Sequence, residues 1–188
     1  MRLLTKLTLI FSIITAQEYT WPTNTGKHLS SNFGEFRPTG FHLGLDIKTK
    51  GTVGHPVYAV YNGYISRIVT NYSGFGRALY LTLEDGQTAV YAHLSKFNSQ
   101  LEELLKLEQE KNQSYITNIF LSPEKFEFEE GDIIGYSGNT GFSFGPHLHF
   151  EIRNKKGQTL NGEKKKVFIK GKSFSLICSL FKKILLTN

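Results

Sequence analysis

The sequence is poor in cysteine. One thiol, Cys178, serves 188 residues, so no internal disulfide can form and no cysteine-built structural zinc site is available. Long apolar runs are also missing. The longest uncharged stretch of the C-terminal tail, Ser173 to Phe181, is nine residues, against the ~20 that a membrane-spanning helix needs. No internal repeat is present. Acids are absent from both ends: residues 1–16 carry Arg2 and Lys6, and residues 164–188 carry seven lysines. The stretch between holds 13 basic and all 16 acidic residues, so the formal net charge of +6 belongs to the ends. No motif clusters Lys and Arg on a folded face, which argues against a nucleic-acid binder.

What is there points to a folded, β-leaning chain. Hydrophobic residues make up 39%, aromatics 13%, and there are 18 glycines. The length fits one domain with extensions and allows a sizeable core. The opening "MRLLTKLTLIFSIITA" has a basic start, a short apolar run over Leu7 to Thr15 and a small residue, Ala16. This is the form of a secretory signal peptide over 1–16. Ile14 is bulky where a small residue is preferred, and a buried N-terminal strand or helix is the alternative. Export without disulfides suits a bacterial envelope protein, periplasmic or secreted.

A lead-in over 17–29 precedes a domain over 30–162. "HPVYAVYNGYISRIVTN" (55–71) alternates and carries Asn62-Gly63, a turn signal between two strands. "GRALYLTLEDGQTAVYAHLS" (76–95) reads as two strands around Asp85-Gly86. Residues 98–127 differ. Ser99 and Glu102 form a capping-box pattern, and Leu101, Leu104 and Leu105 share a helical face, predicting a helix of about three turns from Ser99. It reads as a helical insertion, either solvated on the domain edge or a lid over the site. A short strand over Asp132–Tyr136 and a Gly-rich loop lead to "GPHLHFE" (145–151). The tail, 163–188, reads as a poorly ordered end or a basic amphipathic segment giving weak membrane-surface contact. Its abrupt composition change is also what a frame shift leaves.

Six histidines occur: His28, His42, His55, His93, His147 and His149. On a strand, His147 and His149 project to one face and Leu148 to the other. A His-x-His strand is either a polar face or part of a metal site. His42 and Asp46 lie in "FHLGLD", where Gly44 and β-favouring neighbours indicate a loop running into a strand; Asp46 is a metal ligand or a turn residue. His42, Asp46 and one strand histidine supply three ligands, which leaves an open position as in catalytic rather than structural zinc. Zinc lowers the pKa of bound water to about 7 and so provides a nucleophile. The remaining strand histidine and His93, in "YAHLS", are then free to move protons. His28 and His55 read as surface histidines.

Three motifs, "HLGLD" at 42–46, "YAHLS" at 91–95 and "GPHLHFE" at 145–151, with "NFGEFR" at 32–37, resemble the M23 zinc metallopeptidases of the lysostaphin and LytM type. The resemblance runs from about Ser30 to Gly162, apart from 98–127. It implies a mainly β fold, an antiparallel sheet forming a groove. It implies one Zn2+ per chain on His42, Asp46 and His149, with His93 and His147 as the catalytic pair. The implied activity is endopeptidase cleavage of peptide cross-links or bridges in peptidoglycan. The alternative is a non-catalytic relative that binds cell wall or activates an amidase; such relatives usually lose ligands, and all five key positions are present. Some strands also resemble a biotinyl/lipoyl carrier, but that carrier needs an exposed lysine in a hairpin turn, and no such Met-Lys-type turn occurs in this sequence.

Overall fold

The computed structural model describes residues 18–38, 40–123, 125–160 and 168–169. The signal-like segment, Cys178 and all of the tail except Phe168 and Ile169 lie outside the described residues.

Among the described residues, fifteen short strands and one helix follow in order. They are β1 (Glu18–Tyr19), β2 (Leu29–Ser31), β3 (Phe36–Arg37), β4 (Gly40–Phe41), β5 (Leu45–Lys48), β6 (Pro56–Tyr58), β7 (Gly63–Thr70), β8 (Arg77–Leu83), β9 (Thr88–Ala92) and β10 (Lys96–Phe97), then α1 (Ser99–Asn112), β11 (Thr117–Phe120), β12 (Glu127–Phe128), β13 (Ile133–Tyr136), β14 (His147–Arg153) and β15 (Phe168–Ile169). The main sheet is antiparallel in the order β11-β7-β8-β9-β14-β5-β2, and β12 takes the other half of the β7 edge. A smaller sheet, β10-β13-β6, the hairpin β3-β4 and the pair β1-β15 make up the rest of the mainly β architecture.

The Asp85-Gly86 turn joins β8 to β9 as paired strands, as its sequence predicts. The Asn62-Gly63 turn does not make a hairpin. β6 pairs with β13 in the small sheet while β7 enters the main one, so this turn moves the chain between sheets. Strict alternation also fails on β7. A bulge between Ile65 and Arg67 sends both Ile65 and Ile68 into the core and Arg67 to the opposite face.

The core lies on one face of the main sheet. Ile47, Ile65, Ile68, Leu79, Leu81, Tyr91 and Leu148 meet Val57 and Ile134 of the small sheet there. Leu101 and Leu105 of α1 belong to the same cluster, so the helix is packed into the domain. Its N-cap is Asn98 rather than Ser99: the Asn98 side chain accepts from Leu101 N at 3.0 Å. Glu102 does not close a capping box. Its carboxylate accepts from Phe97 N at 2.7 Å and pairs with Arg77. At 14 residues the helix is nearly a turn longer than expected. The lead-in is packed as well: Tyr19 is buried in the core, its hydroxyl donates to Asp85, and β1 runs parallel to β15.

The other face of the main sheet is lined by a small cluster, Ala78, Tyr80, Val90 and Ala92, with Phe75 and Val69 against it. The polar residues of β14 point to this face.

Candidate metal centre

His147, Leu148 and His149 follow the strand period. Leu148 is fully buried in the core, while His149, opposite Ala92 on β9 and Asp46 on β5, faces the other way. Asp46 enters from the neighbouring strand, and His42 comes from the loop between β4 and β5. The i, i+4 spacing of His42 and Asp46 is bridged by a turn through Gly44, not by a helix.

Three donor atoms converge. Asp46 Oδ1 lies 3.1 Å from His42 Nε2 and 2.8 Å from His149 Nδ1, and the two nitrogens are 3.0 Å apart. All three side chains are buried. Each is also held from behind. His42 Nδ1 donates to Asn32 O at 2.8 Å and lies 3.0 Å from Ser31 Oγ. Arg37 donates to Asp46 Oδ2 at 2.7 Å. His149 Nε2 donates to Glu151 Oε1 at 2.9 Å, and Glu151 accepts from Arg153 Nε at 2.7 Å. These outer contacts fix which ring nitrogen faces the centre.

The electrostatics favour a cation. Burial opposes ionisation of Asp46, but hydrogen bonds from His147, His149, His42 and Arg37 outweigh it and hold the carboxyl far below the usual range. Burial likewise opposes charge on Glu151, and His149 and Arg153 override it. Burial disfavours the protonated form of His149, yet the carboxylates of Asp46 and Glu151 on either side raise its pKa. A positive charge at this point is what those carboxylates stabilise, whether a proton or a metal ion supplies it. Tetrahedral zinc with bonds of about 2.0–2.2 Å sets its ligand atoms roughly 3.3–3.5 Å apart. The observed separations need only small outward adjustments, so two imidazoles and a carboxylate in this arrangement fit the ion.

Two more imidazoles stand beside the trio. His147 Nε2 is 3.5 Å from Asp46 Oδ1, and its Nδ1 donates to Gly145 O at 2.8 Å. The His93 ring centroid is 4.7 Å from that of His147 and 5.8 Å from that of His149. His93 has φ 60°, the left-handed region, which costs a non-glycine residue on the order of 1 kcal/mol. It is fixed there by Nδ1 donating to Thr140 O at 2.8 Å. Burial and then the neighbouring His147 lower its pKa to about 4, so the ring is neutral at physiological pH.

All five residues singled out from the sequence thus share one site. His28 is exposed, and His55 sits apart with Nε2 2.8 Å from Thr52 Oγ1. Glu151, Arg37 and Thr140 were not anticipated. Glu151 was within reach of sequence reasoning, because the alternation that pairs 147 with 149 extends to 151. Nothing in the spacing marks Arg37 or Thr140.

Gly44 is required by close approach. A Cβ there would lie 2.7 Å from His149 Cε1 and Nε2 and 2.7 Å from Phe150 O. The Phe75 ring also lies against His149, with centroids 5.2 Å apart and planes tilted by 33°.

An antiparallel sheet bearing two histidines and an aspartate about one point defines the build of a mononuclear metal centre. The chain belongs to Peptidase family M23, whose family model matches residues 40–111 and 116–162. The match therefore runs through most of the helical segment and passes over only 112–115. The chain is 36% identical over 114 residues to glycyl-glycine endopeptidase ALE-1 of Staphylococcus capitis, covering 60% of this chain and 24% of that protein. It is 32% identical over 113 residues to lysostaphin of Staphylococcus simulans, covering 60% and 18%. It is 31% identical over 120 residues to the DD-carboxypeptidase/endopeptidase Mpg of Neisseria gonorrhoeae, covering 64% and 21%. The chain thus spans a quarter or less of the length of these relatives. Among solved structures, a zinc-containing peptidase from Vibrio cholerae superposes with TM-score 0.56 at 20% identity, over 78% of this chain and 39% of that one. The catalytic domain of lysostaphin superposes with TM-score 0.51 at 24% identity, over 73% and 90%. These two likenesses establish the shared fold.

Proposed function

We propose that the chain is a zinc-dependent endopeptidase that hydrolyses peptide cross-links or bridges of bacterial peptidoglycan. The observation that carries this reading is the convergence of His42 Nε2, Asp46 Oδ1 and His149 Nδ1, with His93 and His147 on the same face of the sheet. The names of the relatives, two of them endopeptidases, support the substrate class. In this reading His42, Asp46 and His149 hold one zinc ion. Bound there, zinc supplies a Lewis acid that acidifies water and polarises a carbonyl.

The chain's own residues do the rest. His93 keeps its Nδ1 proton on Thr140 O, which leaves the Nε2 lone pair as the proton acceptor. The depressed pKa keeps that lone pair available at neutral pH. His147 keeps its Nδ1 proton on Gly145 O and presents Nε2 beside the trio, where it can steady charge developing on the substrate oxygen. Arg37 and Glu151 hold the ligands in place. The signal-like residues 1–16 fit export to the periplasm or cell envelope. Among the described residues no helix is long and apolar enough to cross a membrane.

The test is digestion of purified peptidoglycan by zinc-loaded protein, with product masses read by mass spectrometry. Wild type releases peptides, 1,10-phenanthroline abolishes release, and added zinc restores it. His147→Ala binds zinc but releases nothing; His149→Ala loses both. Zinc-loaded wild type that frees no peptide from any cell wall would overturn the hydrolase and favour a wall-binding relative.

A further inference from the structure

The face that carries the histidines continues past them into a depression of about 290 Å³ lined by Arg67, Tyr80, Phe120, Arg153 and Lys155, among others. It joins the metal centre physically: Phe75 lies 5.2 Å from the His149 ring, and the Arg153 guanidinium is 5.9 Å from Phe75. Tyr80 is the floor. Arg67 stacks on it at 4.8 Å and Arg153 at 5.5 Å, and Arg67 also covers Phe120 at 5.1 Å. Both guanidinium planes are therefore held by rings, with their edges left for hydrogen bonding.

The charge of this depression is unbalanced. Three of its lining residues are cationic and none is acidic. Arg153 spends its charge on Glu151, with NH2 to Oε2 at 2.7 Å. Arg67 bonds to a neutral partner, Asn118 Oδ1 at 2.7 Å. Lys155 is exposed and has no ion pair among the described residues. The bulge at Ser66 is what turns Arg67 to this face, so the cation is built into the strand rather than left on a loop. Arg153 follows His149 by four residues on β14, about 13 Å at ~3.3 Å per residue. An extended peptide therefore reaches the near edge of the depression in about four residues and needs more to meet Lys155 beyond it.

We infer that this depression is a carboxylate subsite of the substrate groove, selecting peptides with a free carboxylate about four or more residues from the scissile bond. Arg67 and Lys155 bind the carboxylate, and Tyr80 and Phe120 hold Arg67 in place. The inference deepens the proposed function and rests on it for the identity of the scissile bond, though binding is measured apart from cleavage.

The experiment uses a fluorescent, peptidoglycan-derived peptide in two forms, free acid and carboxamide, titrated into zinc-loaded full-length protein by anisotropy. Wild type should prefer the acid about tenfold, as one charge-assisted contact provides, and the preference should shrink as salt rises. Arg67→Ala with Lys155→Ala should bring the acid-to-amide ratio to about one while zinc content stays at one per chain. Equal binding of acid and amide by wild type overturns the subsite, and so does a preference that survives the double variant. Competition by a glycan phosphodiester polymer that abolishes acid-peptide binding, where the free acid gives no advantage, overturns it in favour of phosphate recognition. Should the acid be preferred but never cleaved, the subsite stands and the hydrolase falls.

Discussion

Gly44→Ala tests whether the centre depends on backbone proximity as tightly as its geometry indicates. The added methyl would sit 2.7 Å from two atoms of the His149 ring and from the Phe150 carbonyl. Ordinary carbon contacts begin near ~3.4 Å, so the ring or strand β14 must withdraw by about 0.7 Å. Productive ligand geometry tolerates about 0.5 Å. The backbone angle at Gly44 is not in the left-handed region, so the effect is steric rather than torsional. We expect zinc affinity to fall about 10–100-fold, the range seen when ligand support is lost. Overpacking should also cost about 1–3 kcal/mol, lowering Tm by several degrees at about 2–4 °C per kcal/mol for a domain of this size. Competition with a chromophoric chelator measures the affinity, and circular dichroism measures folding. Leu43→Ala, at a side chain 48% exposed, is the control and should change neither. A folded Gly44→Ala protein that binds zinc as tightly as wild type refutes the reasoning.

Glu151→Gln keeps the shape but removes the charge that His149 and Arg153 share. Zinc should bind about tenfold more weakly, and unchanged affinity in the chelator assay would show that Glu151 serves packing alone. Tyr91 and Tyr19 are both shifted above the ordinary phenol range, each by burial first and Tyr19 also by Asp85. Because the folded state favours their neutral forms, their contribution is present below about pH 10 and is lost as pH rises above it. Absorbance at 295 nm should therefore show a late ionisation step coincident with loss of ellipticity, smaller in Tyr91→Phe; complete ionisation with the fold intact would contradict it.

The site was more legible than the fold around it. Period-two alternation placed His147 and His149 on one face, and the Gly44-containing turn was readable as a loop entering a strand. Both readings rest on local rules, which a single sequence carries. Pairing partners do not. Nothing local distinguishes a hairpin at Asn62-Gly63 from a passage between sheets, because the choice depends on β13, seventy residues away. The bulge at Ser66 hid Arg67 for a similar reason: it is paid for by tertiary packing of Ile65 and Ile68, not by any residue preference. The helix starts at Ser99 as expected, but the cap is one residue earlier because Asn98 and Ser99 are both good caps and Asn98 is the one whose side chain meets Leu101 N.

The pairing of Arg77 with Glu102 has a consequence for the history of the domain. Arg77 is tied to the residues that flank and hold His93: its carbonyl accepts from Leu94 N at 3.0 Å, and its amide donates to Thr140 Oγ1 at 2.9 Å. Its side chain is 13% exposed, and the counter-charge comes from the first turn of α1. Pruning that helix to a short connection would leave a largely buried guanidinium without its counter-charge, on the strand that bonds to the residue after the proposed proton acceptor. The helical segment cannot be shed as a free appendage. A lineage that lost it would have to neutralise position 77 at the same time.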